Sequence, residues 1–217
     1  MKVNAKSFLF DLNGTVIDDM HYHAEAWSDI LNNDLKAGLS WEEVKSHMYG
    51  KNEELLVRIF GEGYFTKERM AVLSMEKERR YQQSYLPKLA LINGLQAFLD
   101  RAKEAGILMA IGSAAIPFNI DFVLQNLNLY DYFPVIVSAD DVSISKPNPD
   151  TFLKCAAQLG IEPKDCLVFE DAPKGVESAL NAGMHAFVLT TTHQQEEFSQ
   201  YENIIGYSND YSDLIIG

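Results

Sequence analysis

Polar side chains that could take part in one reaction stand at or just beyond the ends of four predicted strands. The runs FLFD, AIGS and VFED end on Asp11, Ser113 and the pair Glu170 and Asp171, and SKPNPD brings Lys146 shortly after another apolar run. In an open parallel sheet, ligands bind beyond the carboxyl ends of the strands. Each residue taken alone is as easily a turn residue or a helix cap. Their recurrence at different strand ends favours a shared site.

These residue types indicate phosphoryl transfer assisted by a divalent cation. Carboxylates at two strand ends repel each other unless a cation lies between them, and carboxylate oxygens suit Mg²⁺. We expect Asp11 to offer one oxygen to the metal and the other to a substrate phosphorus. Lys146 and Ser113 are expected to contact the remaining phosphate oxygens. The pattern predicts nucleophilic catalysis by a carboxylate, with electrostatic stabilisation of the transferring group.

The elements that must position these residues alternate along much of the chain. Helical patterns separate most of five short apolar runs that end in small or polar residues. The runs cover residues 7–12, 108–113, 134–139, 166–171 and 185–191. This alternation predicts an α/β fold: a Rossmann-like core with a parallel sheet and helices on both faces.

Residues 18–86 have a different sequence pattern. EAWSDILNN, SWEEVKSHM, NEELLVRIF and TKERMAVLSMEKERRYQQSYL show helical spacing and no good strand. Ser40 followed by Glu43 is a capping-box signature, and Thr66 followed by Arg69 is a weaker cap. We therefore predict an α-helical cap domain over residues 18–86, inserted into a core domain formed by residues 1–17 and 87–217.

Composition narrows the classes of partner. The chain has 217 residues, of which 47% are hydrophobic, so it can bury a core. A formal charge of −13, from 18 basic against 31 acidic residues, argues against a nucleic acid or an anionic membrane as partner. Cys155 and Cys166 lie in apolar surroundings and are expected to be reduced thiols. No stretch is long and apolar enough to span a bilayer, and we expect a cytoplasmic protein.

Four segments resemble the motifs of the haloacid dehalogenase (HAD) superfamily of phosphatases and phosphomutases. The resemblance covers nearly the whole chain and is closest to the branch with a helical cap after the first strand, which is similar to β-phosphoglucomutase. The matching segments are FDLNGT with Asp11 as nucleophile, GSA with Ser113 as phosphate ligand, SKPNPD with Lys146, and VFEDAPKGVESALNAGM with Glu170 and Asp171 at the metal positions.

This resemblance implies an enzyme that uses Mg²⁺ and passes through an aspartyl-phosphate on Asp11. The substrate would be a small phosphorylated metabolite, similar to a sugar phosphate. Asp11, the Asn13 carbonyl and Asp171 are expected around the metal, with Glu170 assigned to the metal site but more remote. The family context suggests a monomer, and no coiled-coil heptad argues otherwise.

Asn13 departs from the family pattern. In family phosphatases the residue two places after the nucleophile is an aspartate that protonates the leaving oxygen and then activates water. The carbonyl of Asn13 can still bind a metal, but its amide cannot exchange a proton near neutral pH. Three explanations stay open: a neighbour such as His23 transfers the proton, an introduced Asp→Asn change stalls turnover, or the protein binds a phosphate compound without turning it over.

The cap departs from the pattern as well. Where the phosphoglucomutase-like branch has a lysine and an arginine that holds a distal phosphate, MYGKNEEL places Tyr49 and Glu53, and Lys51 or Arg58 would have to supply the charge. His23 is open to a second interpretation, as a hinge residue that packs on the nearby tryptophan. The residues expected to contact substrate are Ser113, Ala114, His23, Trp27, Lys51 and Asn52.

Three hypotheses therefore stand. The first is an Mg²⁺-dependent phosphatase or phosphomutase, impaired or not by Asn13. The second is a non-hydrolytic homologue that binds a phosphorylated metabolite. The third and weaker one is a member that cleaves carbon–halogen or carbon–phosphorus bonds, since related branches with that chemistry also lack the acid/base aspartate.

Overall fold

A computed structural model describes residues 1–217, which divide into two compact units. The first unit, the core, comprises Met1–Asp18 and Ala90–Gly217. The second, the cap, comprises Asp19–Leu89. One continuous segment is thus inserted after the first residues of the core.

Eight strands belong to the core. They are β1 Lys2–Val3, β2 Ser7–Phe10, β3 Leu108–Gly112, β4 Val135–Val137, β5 Cys166–Glu170, β6 His185–Leu189, β7 Ile204–Ser208 and β8 Ile215–Ile216. Six of them form one sheet in the order β4-β3-β2-β5-β6-β7, and every neighbouring pair is parallel. β1 and β8 form a separate parallel pair.

Eight α-helices complete the fold, four in each unit. They are α1 Met20–Ser28, α2 Trp41–Ser46, α3 Asn52–Phe60 and α4 Lys67–Tyr85 in the cap, and α5 Leu95–Glu104, α6 Pro117–Asn126, α7 Asp150–Leu159 and α8 Pro173–Asn181 in the core. A π-helical segment, Asp29–Asp34, continues α1. No helix is both long and apolar enough to cross a membrane.

The central strand β2 shows why the core needs helices on both faces. All four of its residues are buried. Phe8 stacks on Phe98 of α5 with ring centroids 5.4 Å apart, whereas Leu9 belongs to a cluster that includes Phe152 of α7 and Val176 of α8. Successive side chains of a strand point to opposite faces, so both faces of β2 are covered. The predicted α/β fold with a parallel sheet is confirmed.

The cap has an apolar core of its own, built by the inward faces of its helices. Its buried members are Trp27, Ile30, Leu31, Val44, Leu55, Leu56 and Leu73. The predicted capping box is present at α2: the Glu43 N–H donates to Ser40 Oγ at 3.3 Å, and the Ser40 N–H donates to Glu43 Oε2 at 2.8 Å. Thr66 Oγ1 accepts from the Arg69 N–H at 3.2 Å and begins α4.

The five predicted apolar runs correspond to β2, β3, β4, β5 and β6. Sequence analysis missed β1, β7 and β8. Two of these have only two residues each, and β7 is a half-buried edge strand without a continuous apolar run. Cys155 and Cys166 are buried free thiols, as expected.

Candidate active site

The carboxyl ends of three neighbouring strands bring the predicted site residues to one edge of the sheet. β2 lies between β3 and β5, with Phe10 in register with both Ile111 and Phe169. The Asp11 N–H donates to the Phe169 carbonyl at 3.0 Å. The chain leaves β2 for β3 on one side and later adds β5 on the other, which makes β2 a topological switch point. Ligand sites of open α/β sheets lie at such points.

Lys146 reaches this edge from a loop and joins two strand ends. Its Nζ lies 2.6 Å from Asp11 Oδ1 and 2.8 Å from Glu170 Oε1. Burial alone would lower the pKa of Lys146, but the Asp11 and Glu170 carboxylates outweigh that effect and raise its pKa above the ordinary value. The neighbouring carboxylates therefore favour the charged form of Lys146 beside the candidate nucleophile.

Glu170 has both carboxylate oxygens engaged. Oε1 pairs with Lys146, and Oε2 accepts the backbone N–H groups of Asp171 and Ala172, each at 2.9 Å. A Cβ on Gly175 would lie 1.7 Å from Oε1, so only glycine allows this approach. The arrangement suits a residue that holds Lys146 and the loop before α8.

Asp171 is a buried carboxylate whose pKa is strongly shifted by its surroundings. Burial raises its pKa well above the usual value, and the negative charges of Glu170 and Asp11 raise it further. Lys146 forms ion pairs with Asp11 and Glu170, so the three carboxylates together carry more negative charge than one ammonium balances, and this excess favours a bound cation. No group of three or more His, Cys, Asp and Glu side chains is arranged to hold a metal. A metal bound by Asp11 and Asp171 would therefore need backbone and water oxygens as further ligands.

Asn13 lies in the tight loop that follows β2. The Gly14 N–H donates to the Ile17 carbonyl at 2.7 Å, and Gly14 has a φ of +76°. A Cβ on Gly14 would lie 2.2 Å from Asp171 Oδ2, so the loop passes directly beside that carboxylate. Thr15 Oγ1 donates to Asp171 Oδ1 at 3.3 Å. The backbone next to Asn13 is thus close to Asp171.

Ser113 directly follows the last residue of β3, at the predicted strand end, and is buried. Its N–H donates to the Val137 carbonyl at 2.9 Å, and its Oγ accepts the Ala115 N–H at 3.0 Å. Ala114, the neighbouring predicted substrate contact, is exposed. The turn holds the Ser113 hydroxyl at the same sheet edge as Asp11.

The cap contains a second buried polar cluster around His23. Lys77 Nζ lies 2.6 Å from His23 Nδ1, and His23 Nε2 lies 3.2 Å from Asp19 Oδ2. The imidazole stacks on Tyr81 with centroids 3.8 Å apart, and the Tyr81 hydroxyl donates to Asp19 Oδ2 at 2.5 Å. A lysine ammonium can only donate, so Nδ1 accepts and Nε2 carries the proton. Both ring nitrogens of His23 are therefore engaged within the cap.

The other predicted cap contacts divide between this cluster and the cap core. Trp27 is buried among apolar residues. Asn52 Nδ2 donates to Glu78 Oε1 at 2.6 Å, whereas Lys51 is half-buried at the start of α3. The Arg58 guanidinium donates to the His47 and Tyr49 carbonyls and lies 3.7 Å from the centroid of the Tyr49 ring.

Sequence analysis did not assign several residues of these clusters. Thr15 and Thr192 both donate to Asp171, and Lys77 and Glu78 build the buried cluster of the cap. Thr15 lies inside FDLNGT and was available as a candidate. Thr192 follows the predicted run at 185–191, so its place beyond a strand end was the only signal.

Comparison with known proteins identifies the family. Residues 5–183 match the family model described as haloacid dehalogenase-like hydrolase. The chain belongs to the haloacid dehalogenase-like hydrolase family. The resemblance inferred from the four motifs is thereby confirmed, as is the prediction of an enzyme of the HAD phosphohydrolase or phosphomutase type.

Two curated relatives and one solved structure illustrate the similarity. The hydrolase is 33% identical over 194 residues to β-phosphoglucomutase from Bacillus subtilis, which covers 83% of this chain and 81% of the relative. It is 30% identical over 182 residues to the fructose-1-phosphate phosphatase YqaB from Escherichia coli, and the match covers 82% of this chain and 93% of the relative. A HAD hydrolase of family IA, variant 3, from Entamoeba histolytica superposes with a TM-score of 0.86 at 27% identity, covering 96% and 95%.

Proposed function

We propose that this HAD hydrolase removes phosphate from a small sugar or polyol phosphate through an aspartyl-phosphate on Asp11. The observation that carries the proposal is the position of Asp11, at the switch point of the sheet and 2.6 Å from the buried Lys146 ammonium. The names of the two relatives, a fructose-1-phosphate phosphatase and a β-phosphoglucomutase, support a sugar phosphate as substrate.

Mg²⁺ fits the proposed site by charge and by donor type. Asp11 and Asp171 would hold it with the Asn13 carbonyl, and Glu170 would stay with Lys146. Three carboxylates near one ammonium leave negative charge for a hard divalent cation to balance. When bound, Mg²⁺ would supply charge neutralisation for the phosphoryl group.

The side chains of the core have distinct parts in the proposed reaction. An Asp11 oxygen attacks phosphorus, forming the new P–O bond as the ester P–O bond breaks and its electron pair leaves with the substrate oxygen. Lys146 and Ser113 stabilise charge on the phosphoryl oxygens. A water molecule then hydrolyses the aspartyl-phosphate. Asn13 can donate a hydrogen bond in both steps but can transfer no proton, so departure of an alkoxide is the demanding step.

Within the proposal, a phosphatase is preferred to a phosphomutase because Arg58, one of the two cations considered for a distal phosphate, is already engaged. A mutase that works through a bisphosphate needs cations for a second phosphate. Within the cap, Lys77 pairs with Glu78 at 3.0 Å, and Arg58 is bound to backbone carbonyls. Lys77 and Arg58 are thus engaged inside the cap, and Lys51 is the remaining cation considered for a second phosphate.

The test is a screen of phosphorylated sugars and polyols with Mg²⁺, run on the parent and on Asn13→Asp. Phosphate release and the intact mass of the protein are followed together. We expect turnover of at least one sugar or polyol phosphate in the Asn13→Asp form, and a mass increase by one phosphoryl group in the parent. Binding without turnover or phosphorylation in both forms would favour the non-hydrolytic alternative, and halide release from a halogenated acid would favour carbon–halogen cleavage.

A further inference from the structure

The segment that follows β6 connects the end of this strand to the loops beside it. Residues 190–193 read TTTH. Thr190 Oγ1 donates to Asn209 Oδ1 at 2.6 Å, on the side away from Asp171. Thr191 Oγ1 donates to the Gly14 carbonyl, and Thr192 Oγ1 donates to Asp171 Oδ2. Consecutive residues thus hold the loop after β2 and the loop after β5.

Asp171 is held at both of its carboxylate oxygens by neutral donors. Thr15 donates to Oδ1, and Thr192 donates to Oδ2. His193 Nδ1 lies 2.8 Å from Thr192 Oγ1 and 3.1 Å from the Asp171 carbonyl, which fixes the Thr192 hydroxyl in turn. A carboxylate with a partner on each oxygen has little freedom to rotate about its Cβ–Cγ bond.

The neutrality of these donors has a chemical consequence. A lysine or arginine at position 192 would hold Asp171 equally well but would balance its charge. A hydroxyl orients the carboxylate and leaves nearly all of its negative charge for a cation. Partners of this kind orient metal ligands in proteins, and their removal typically weakens metal binding by about 10- to 100-fold.

We propose that Thr192 is a positioning residue for the divalent-cation site, and that its hydroxyl sets the orientation in which Asp171 meets the metal. The inference rests on the proposed function because it assumes that Asp171 is a metal ligand. It assigns to the segment after β6 a part in metal binding that the four family motifs do not contain.

The test measures Mg²⁺ binding alone, by calorimetry on the full chain without substrate. Thr192→Val keeps the shape of the side chain and removes the hydroxyl, and Thr192→Ser restores the hydroxyl. Thr190→Val is the matched control, since its hydroxyl bonds away from Asp171. We expect Thr192→Val to weaken Mg²⁺ binding by about 10-fold or more, Thr192→Ser to return most of the affinity, and Thr190→Val to bind like the parent.

Thermal melting of the metal-free variants separates loss of binding from loss of fold. If Thr192→Val does not fold, Thr192→Ala against Thr192→Ser makes the same comparison. Unchanged affinity in a folded variant without the hydroxyl overturns the role of Thr192 while leaving the proposed function intact. Equal losses in Thr192→Val and Thr190→Val also overturn it. A parent that binds no Mg²⁺ refutes the metal site itself.

Discussion

The core and the cap each bury a cluster of charged side chains, and the two clusters differ in how their charges are balanced. In the core, the Lys146 ammonium pairs with Asp11 and Glu170, and Asp171 adds a third carboxylate beside them. The neighbouring negative charges add to burial in raising the pKa of Asp171. The carboxylates of this cluster therefore outnumber its ammonium group.

In the cap, donors reach Asp19 at Oδ2 and Glu78 at both of its carboxylate oxygens. Lys77 pairs with Glu78 and donates to His23, while His23 and Tyr81 donate to Asp19. Burial lowers the pKa of Lys77, an effect that Glu78 opposes. Burial raises the pKa of Tyr81 and the charge of Asp19 raises it further, so that the phenol stays a donor. The core cluster has three carboxylates to one ammonium and the cap cluster two to one. The core is therefore the better site for a cation, whereas the cap cluster links helices α1 and α4.

The largest effect is expected from Asp11→Asn. If Asp11 is the nucleophile, the amide that replaces its carboxylate cannot form the acyl-phosphate, and turnover should fall by roughly 10⁴-fold or more. Intact-mass analysis should then show no phosphoryl adduct. Asp165→Asn is the control, because that carboxylate pairs with Lys6 at an exposed site before β5. Equal turnover or an undiminished adduct in Asp11→Asn would refute the nucleophile assignment.

The second effect concerns Asn13 and depends on the leaving group. General acid catalysis contributes on the order of 10² to 10⁴ in rate, and most where the departing oxygen is a strong base. Asn13→Asp should therefore raise turnover of a sugar phosphate far more than turnover of an activated aryl phosphate. Affinity for phosphate should change little, since Asp11 and Lys146 remain.

The opposite result is equally informative. A parent that already hydrolyses sugar phosphates as fast as Asn13→Asp would show that Asn13 is not a lost acid. His23→Gln then tests the remaining candidate. The engagement of both His23 nitrogens within the cap leads us to expect no specific loss of proton transfer from that change.

The third effect tests whether the cap cluster is structural. Lys77→Met leaves Glu78 buried without its ammonium partner, and removal of one member of a buried ion pair costs about 3–5 kcal/mol of unfolding free energy. Both tryptophans, Trp27 and Trp41, lie in the cap, so tryptophan fluorescence follows the unfolding of this unit. Lys45→Met, which breaks an exposed pair with Glu42, should cost about 1 kcal/mol or less. Similar losses in both variants would contradict a structural role for Lys77.

The smallest effect, a gain in stability, is expected from Asp171→Asn in the absence of metal. Because the folded pKa of Asp171 is raised, its contribution to stability is present below the unfolded pKa of about 3.9 and is lost as pH rises through the folded pKa. The asparagine amide does not titrate, so Asp171→Asn should not lose stability in this way as pH rises. We expect a melting temperature a few degrees above that of the parent at pH 7, and no difference near pH 4.

Magnesium should reverse this order. The parent should gain thermal stability with Mg²⁺, and Asp171→Asn should gain none. Asp165→Asn is the control, because its pH dependence should run the other way. The Lys6 partner lowers the pKa of Asp165, so the small stabilisation by the Asp165 carboxylate is lost as pH falls. A parent whose metal-free stability rises steadily from pH 4 to pH 7, with Asp171→Asn unchanged or weaker, would contradict the charge imbalance of the core.

Much of this molecule follows from local patterns in the chain. The alternation of apolar runs and helical spacing was enough to predict the parallel sheet, and the ends of those runs were enough to place Asp11, Ser113 and Asp171 at one edge. This works because strand direction in a parallel sheet carries every carboxyl end to the same side. The helical spacing of the segments within residues 18–86 and the Ser40 capping box could also be predicted from the sequence, since each depends on residues within a few positions of one another.

Only the tertiary structure decided which side chains become partners. The loop that carries Lys146 had to fold back before its ammonium could meet Asp11 and Glu170. Lys77 meets His23 only because α4 packs against α1. Thr192 reaches Asp171 from another strand of the sheet. Spacing along the chain determines the type of each element, but hydrogen-bond partners are chosen by distances between elements, which packing of the whole fold determines.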